Sequence, residues 1–270
     1  MGARILALTA LAMVAFAANS VIGRLGLIEG GIGAGSFAAI RLVSGGIVLA
    51  LLAGPANTVR AGSWTGGIAL LSYAAFFSYA YLSLPAGTGA LLLFAVVQVT
   101  MVGAGILSGE RLSAVQWTGL IAAFAGLVWL VSPGLQAPPL LGALAMGVAG
   151  IGWGVYSLLG RSGGDPTANT AGNFVRASLL ALVLLPPALL LAPEPAPHLT
   201  GIALAVLSGA VTSGLGYAVW YTALKGLSAT QAGAAQLTVP ALAALGGILV
   251  LSEPLTFRFA MSSLIILAGV

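Results

Sequence analysis

Cysteine is absent from the 270 residues, and histidine occurs once, at His198. Disulfides, thiolate catalysis and cysteine-ligated metals are thereby excluded, and an imidazole ligand would have no second of its kind. Charge is almost as scarce. Lys and Arg number 9 and Asp and Glu 5, together 5% of the chain, whereas soluble domains carry about 25%. No acid lies deep in any apolar run, so there is no pair of buried carboxylates for acid–base work and no carboxylate relay for protons. His198 sits in a Pro-rich loop and Asp165 in a turn, which leaves an intramembrane enzyme without a nucleophile and base. The basic residues stand singly, with a net charge of +4, and form no patch for nucleic acid. The glycines at 147–154, GVAGIGWG, follow no soluble strand and so fail as a phosphate cradle. Close helix packing is the reading they support.

What is present is apolar. Hydrophobic residues make up 60% of the chain with 39 glycines, and the mean hydropathy is +1.12. This is the composition of an integral membrane protein whose helices approach through small residues. Runs of about 20 residues, enough to cross roughly 30 Å of hydrocarbon, fall at 4–23, 33–53, 63–84, 86–107, 113–132, 138–159, 168–192, 200–224, 228–251 and 256 to the end. Ten spans are expected. The last is short, so more helix and a short cytoplasmic tail are expected past residue 270.

The chain reads as one unit written twice. Setting Glu110 on Glu253 also sets Leu112 on Leu255, Gly126 on Gly269, Gly103 on Gly246 and Leu84 on Leu227 without a gap. NSVIGRLG from Asn19 finds a partner in YSLLGRSG from Tyr156, so the first span belongs to a repeat unit and is not expected to be a cleaved signal. The domains are 1–135 and 136–270. Arg4, Arg60, Arg111, Arg161 and Lys225 collect on one side, against Arg24 and Arg258 on the other. The richer side is cytoplasmic by the positive-inside rule, which places both termini inside. Five spans per unit, an odd number, put the second unit upside down, an arrangement used by secondary transporters.

Six features carry a resemblance: ten spans, two inverted halves, SGERL leading into QWTGLIAAFAG, SEPL at the matching place, NSVIGR and RLVSGG. The chain resembles the drug/metabolite transporter superfamily in its EamA branch, and within it the YddG-type exporters of aromatic and other amino acids. The resemblance implies an all-α membrane protein, ten helices around a central cavity. Its lining would come mainly from the first, third, fourth, sixth, eighth and ninth spans, and transport would proceed by alternating access. It further implies a bacterial inner-membrane exporter of aromatic or apolar amino acids, with efflux of drugs or other small metabolites as the alternative. The expected partners are a small-molecule substrate and the lipid bilayer. No cofactor, metal or nucleic acid is expected, and a monomer is compatible with everything read here.

Uncharged polar residues near mid-depth are the candidate substrate contacts: Asn19, Ser20, Gln98, Ser213, Gln236 and Thr238, with Thr100 beside them. Gln98 and Thr238 are expected nearest the midplane. Pro240 frees a backbone carbonyl in the ninth span. For each, a bond across helices stands level with substrate contact. Among the aromatics, Tyr73, Phe77, Trp153, Tyr217 and Trp220 are candidates to hold a flat side chain, Tyr217 and Trp220 sharing a face by spacing. Trp220 reads equally well as an interface anchor. Arg41 and Arg176 are the charges set within spans, and Glu29 and Asp165 lie upstream of them at nearly matching positions. Two charge pairs, Glu29 with Arg41 and Asp165 with Arg176, are expected to steady or gate the two faces, against plain snorkelling of the cations to headgroups. Glu110 and Glu253 are expected to cap helix starts.

Overall fold

The computed structural model describes residues 2–109, 111–134, 136–160, 164–227 and 229–269. Glu110 and Arg161, both used in the sequence reading, lie outside the described residues. Everything regular among these residues is helix. The chain runs through α1 (Ala3–Ile28), α2 (Ala34–Ala53), α3 (Pro55–Arg60), α4 (Trp64–Tyr81), α5 (Ala86–Leu107) and α6 (Ala114–Val131). It continues through α7 (Leu140–Leu159), α8 (Pro166–Leu191), α9 (Leu199–Val206), a π-helical segment (Leu207–Leu215), α10 (Gly216–Leu224), α11 (Ala229–Gln236), α12 (Val239–Leu251) and α13 (Phe257–Gly269).

Among the described residues, seven stretches are long and apolar enough to cross a membrane: α1, α2, α5, α6, α7, α8 and the continuous Leu199–Leu224 rod. The others depart from the expected run of ten. α4 has 18 residues, but Ser72, Tyr73, Ser78 and Tyr79 lower its hydropathy. The expected ninth span is two helices, α11 and α12, interrupted after Gln236. There Thr238 turns its amide back on the Ala235 carbonyl at 3.1 Å, and Pro240 has no N–H to offer Gln236. α3 was not anticipated from the sequence.

Large apolar side chains cover the outside, among them Leu51, Val59, Leu107, Val115, Leu141 and Leu190, as expected where lipid is the solvent. Inside, α1 is the hub, touching α4, α5, α9, α10, α12 and the π segment; α4 packs on α7 and α8, and α6 on α13. Glycine makes the closest of these crossings possible. A β-carbon on Gly152 of α7 would stand 2.9 Å from both the Ala69 carbonyl and the Tyr73 amide of α4, which accounts for the Gly-rich stretch as packing. Gly209, in the π segment, meets the Arg41 carbonyl so closely that no side chain fits. That contact sets α2 against the widened turn.

Helix ends carry complementary charge, as the helix dipole favours. At the end of the bundle where α1, α4 and α12 finish, Glu253 accepts from the Ala86 amide that opens α5, at 2.8 Å. It also pairs with Arg24 at 3.4 Å, while Arg24 donates to the Tyr81 carbonyl closing α4, at 2.8 Å. Glu194 accepts from the Gly35 and Ser36 amides opening α2, at 2.7 and 3.0 Å. Arg258 donates to the Ser132 carbonyl just past the end of α6. Glu253 thus caps a helix, but a different one from the helix it precedes. α6 is opened by Ser113 and Gln116 in a reciprocal capping box.

Candidate functional site

Deep in the bundle a small chamber is walled by Asn19, Ser20, Tyr73, Phe77, Trp153 and Tyr217, together with Phe16, Leu93 and Phe94. α1 contributes Phe16, Asn19 and Ser20 because residues three and four apart share a helical face. α4 brings Tyr73 and Phe77 by the same spacing. The aromatic rings close on one another: Trp153 lies 5.0 Å from Tyr73 and 4.9 Å from Tyr217, and Phe16 stands edge-on to Tyr217 at 5.8 Å. These separations suit ring contact, worth about 0.5–1.5 kcal/mol per pair beyond burial. The space they leave is about 10 Å³, roughly one water molecule.

Behind this wall lies Arg41, eighth residue of α2 and 1% exposed. Its Nη2 donates to the Tyr73 hydroxyl at 2.9 Å and its Nε to Ser213 Oγ at 3.1 Å. The guanidinium carbon stands 4.9 Å from the centre of the Tyr73 ring and 4.6 Å from that of Phe77, a cation–π arrangement. Asn19 completes the network. Its Oδ1 accepts from Ser208 at 2.7 Å and lies 3.0 Å from the Thr212 hydroxyl, while its Nδ2 reaches the Tyr73 hydroxyl at 3.4 Å. Ser208, Thr212 and Ser213 all belong to the π segment. Its wider turn presents three hydroxyls to α1 and α2 together, and such turns recur at functional sites. At this site two buried nitrogen donors, Arg41 Nη1 and Trp153 Nε1, have no hydrogen-bond partner among the described residues.

Two larger cavities open at the opposite end of the bundle, where α4, α6, α8 and α11 begin. One, of about 380 Å³, lies among α4, α7, α8 and α10 and is lined by Ser63, Tyr156, Asn169, Thr170, Asn173 and Tyr221 among others. Trp153 and Tyr156, one turn apart with rings 5.6 Å from each other, separate it from the chamber. The second, about 440 Å³, lies among α5, α6 and α13.

Of the residues singled out from sequence, Asn19, Ser20, Tyr73, Phe77, Trp153 and Tyr217 come together in the chamber, with Ser213 behind it. Trp220 is 3% exposed, its ring 5.8 Å from that of Phe16; it is packed inside the protein and is no lipid-interface anchor. Gln98 lines the α5–α6–α13 cavity, away from the chamber. Gln236 is buried at the end of α11, and Thr238 is exposed with its hydroxyl turned on the Ala235 carbonyl at 2.7 Å. Gln98 and Thr238, expected nearest the midplane, are therefore not part of the chamber, and Thr238 is turned back onto its own chain beside the Pro240 break.

The two expected charge pairs do not form. Glu29 is exposed at the end of α1, while Arg41 has turned inward to hydroxyls and ring faces. Asp165 caps α8 through the Thr167 amide at 2.9 Å. Arg176 instead holds the Ala61 carbonyl at 2.7 Å and the Gly172 carbonyl at 2.9 Å, over the Trp64 ring. Asp165 is drawn to a free amide at a helix start and Glu29 stays exposed, while the cations turn to hydroxyls, carbonyls or rings, so neither pair forms. Phe16, Phe94, Ser208 and Thr212 were missed. The spacing of Phe16 to Asn19 and Ser20, and of Ser208 to Thr212, was the available signal. Among the described residues no group of three His, Asp or Glu side chains assembles.

Comparison with known proteins places these features. An uncharacterised protein of Pseudomonas aeruginosa is 52% identical over 273 residues, covering 99% of this chain and 93% of its own length. A crystal structure of a protein shares the fold at a TM-score of 0.65 with 20% identity, over 98% of this chain and 94% of the other. The family model for EamA-like transporters matches residues 140–270. With that match across its second half and so similar a relative along its whole length, the chain belongs to the EamA-like transporter family, a family of membrane transporters of the drug/metabolite type.

Proposed function

We propose that this protein is a secondary transporter of the bacterial inner membrane that exports amino acids, preferring aromatic or apolar ones, by alternating access. The observation that carries the reading is the chamber itself, an aromatic box with a buried cation and a hydroxyl network at one side. Such a box suits a flat or apolar side chain, and hydrogen-bonding groups beside it suit a polar head in a low-dielectric site. In this reading the two halves, 1–135 and 136–270, are inverted repeats making ten crossings, with both termini cytoplasmic. The 380 Å³ cavity is then a cytoplasmic vestibule, and the end tied by Arg24 and Glu253 is a closed outer gate. Asn19, Ser20, Tyr73, Phe77, Trp153, Ser213 and Tyr217 meet the cargo, and Trp220 backs the wall. No acid lies in a span, so exchange or uniport accounts for the sequence better than proton antiport.

Counterflow in proteoliposomes tests this. Vesicles loaded with unlabelled phenylalanine, tryptophan or methionine should accumulate the labelled counterpart without an ion gradient. Asn19→Leu, which cuts the network and fills space beside the chamber, should abolish it. Transport of a cationic dye with no counterflow of any amino acid would replace this reading by drug efflux.

A further inference from the structure

Arg41 is a buried cation for which the described residues supply no anion. None of the five acids lies in an apolar span. Glu194 and Glu253 serve helix starts at one end, Asp165 caps α8 at the other, and Glu29 is exposed where α1 finishes. Neutral groups satisfy part of the guanidinium, through Ser213 and the Tyr73 hydroxyl. Among the described residues Nη1 has no hydrogen-bond partner, and neither does Trp153 Nε1, whose ring lies 5.0 Å from that of Tyr73. A lone charge in a low-dielectric interior is costly unless its partner arrives from elsewhere.

Where that partner arrives follows from the geometry. The two rings lying against the guanidinium, Tyr73 and Phe77, are themselves chamber wall. With room for about one water, the chamber admits no cargo until wall rings turn aside, and turning these two uncovers Arg41.

We propose that Arg41 is the countercharge for a cargo carboxylate, and that the site recognises aromatic or apolar monocarboxylates whether or not they carry an α-ammonium. The inference rests on the chamber being the cargo site. An ammonium group would find no carboxylate there. The one amide oxygen in reach, Asn19 Oδ1, is already engaged by Ser208 and Thr212, and the guanidinium itself covers the faces of Tyr73 and Phe77. A bare carboxylate, by contrast, finds a fork-shaped donor with an idle arm.

The test is a ligand series on the purified full chain in nanodiscs, read by calorimetry: phenylalanine, phenylpropanoate, phenylpropanamide and phenethylamine. Phenylpropanoate should bind at least as tightly as phenylalanine, and the amide and amine should bind about tenfold or more weakly, as expected for loss of a buried charged hydrogen bond. Arg41→Gln should erase the difference between carboxylate and amide, while Arg41→Lys should keep most of it. A merely structural arginine would lower affinity for all four ligands alike and leave their order unchanged. Equal binding of phenylpropanoate and phenylpropanamide to the unaltered protein overturns the inference, as does phenylalanine binding about tenfold tighter than phenylpropanoate. Either result leaves amino-acid transport standing if counterflow persists. Failure of all four to bind, with no counterflow, removes both readings. The ligand series needs no variant, so a misfolded Arg41→Gln does not spoil it.

Discussion

The two ends of the helix bundle are held by different chemistry. Where α1, α4 and α12 finish, charged side chains bridge separate elements: Arg24 to Glu253, Glu253 to the start of α5, Glu194 to the start of α2. At the opposite end the ties are largely neutral. Asn169 and Asn173 accept from the Gly62 and Ser63 amides at 3.3 and 2.8 Å, and a cavity of about 380 Å³ opens beside them. The difference teaches how such a bundle switches. A carboxylate that accepts backbone amides and an arginine makes a strong latch only while water is excluded, since charge-assisted bonds weaken once both partners are hydrated. Under the alternating access proposed above, the first end would act as a latch that opens and closes, and the second is the mouth that stands open here.

The largest expected effect therefore lies at Glu253. The Arg24–Glu253 pair is largely buried, with side chains 17% and 13% exposed, and Glu253→Ala strips the Ala86 amide of its acceptor and leaves Arg24 with the Tyr81 carbonyl but no countercharge. A loss of about 1.5–3 kcal/mol is expected from bonds of this charged kind, or roughly tenfold or more in the latch equilibrium. Because the chain has no cysteine, single-cysteine labelling can read it cleanly. Thr88→Cys, in the groove beside Glu253, should react slowly with a water-soluble maleimide, and about tenfold faster when Glu253→Ala is added. Equal rates for Thr88→Cys and for Leu159→Cys at the open mouth would erase the contrast between the ends.

Glu194→Gln comes next. The amide oxygen of glutamine still accepts from Gly35 or Ser36, but the charge and one bond are lost, for about 1 kcal/mol. Melting of the purified protein should fall by a few degrees, with Thr88→Cys labelling changed less than by Glu253→Ala. A larger rise in labelling than Glu253→Ala produces would move the latch from Glu253 to Glu194.

How much of this was legible follows the same division by chemistry. Apolar runs are dictated by bilayer thickness, so most helices stood where hydropathy put them; α4 was legible by pattern although its polar residues thin its apolar character. The chamber was partly legible, since Asn19, Tyr73, Phe77, Trp153 and Tyr217 are the polar and aromatic residues that deep spans hold. Arg41 was visible as a buried charge, but its direction was not, because snorkelling, pairing with Glu29 and turning inward are equally compatible with its place in α2. Only the positions of Tyr73 and Ser213, 32 and 172 residues away, decide. The break after Gln236 was signalled by Pro240, yet its consequence for Thr238 depends on a local turn. Gln98 could not be placed, because helical spacing alone does not tell which neighbour a face meets.

At the open mouth the comparison can be sharpened by a neutral change. Asn173→Ala removes the acceptor of the Ser63 amide that opens α4, at a cost of about 1 kcal/mol. It should leave Thr88→Cys labelling unchanged, since nothing charged links Asn173 to the latch.

The smallest effect is expected at Tyr156, between the mouth and the chamber. Its ring packs against Trp153, but its buried hydroxyl, with Thr170, Asn173 and Tyr221 beside it, makes no close hydrogen bond among the described residues. A buried hydroxyl that forms no bond forfeits its hydration, so deleting the oxygen while keeping the ring should not destabilise the protein. Tyr156→Phe is expected to leave the melting temperature unchanged or raise it slightly, by the equivalent of at most about 1 kcal/mol. A clear fall would mean that the hydroxyl bonds to water standing in the 380 Å³ cavity. The mouth would then be wetted as far as Tyr156, and the pair Trp153–Tyr156 would be the last barrier between water and the chamber.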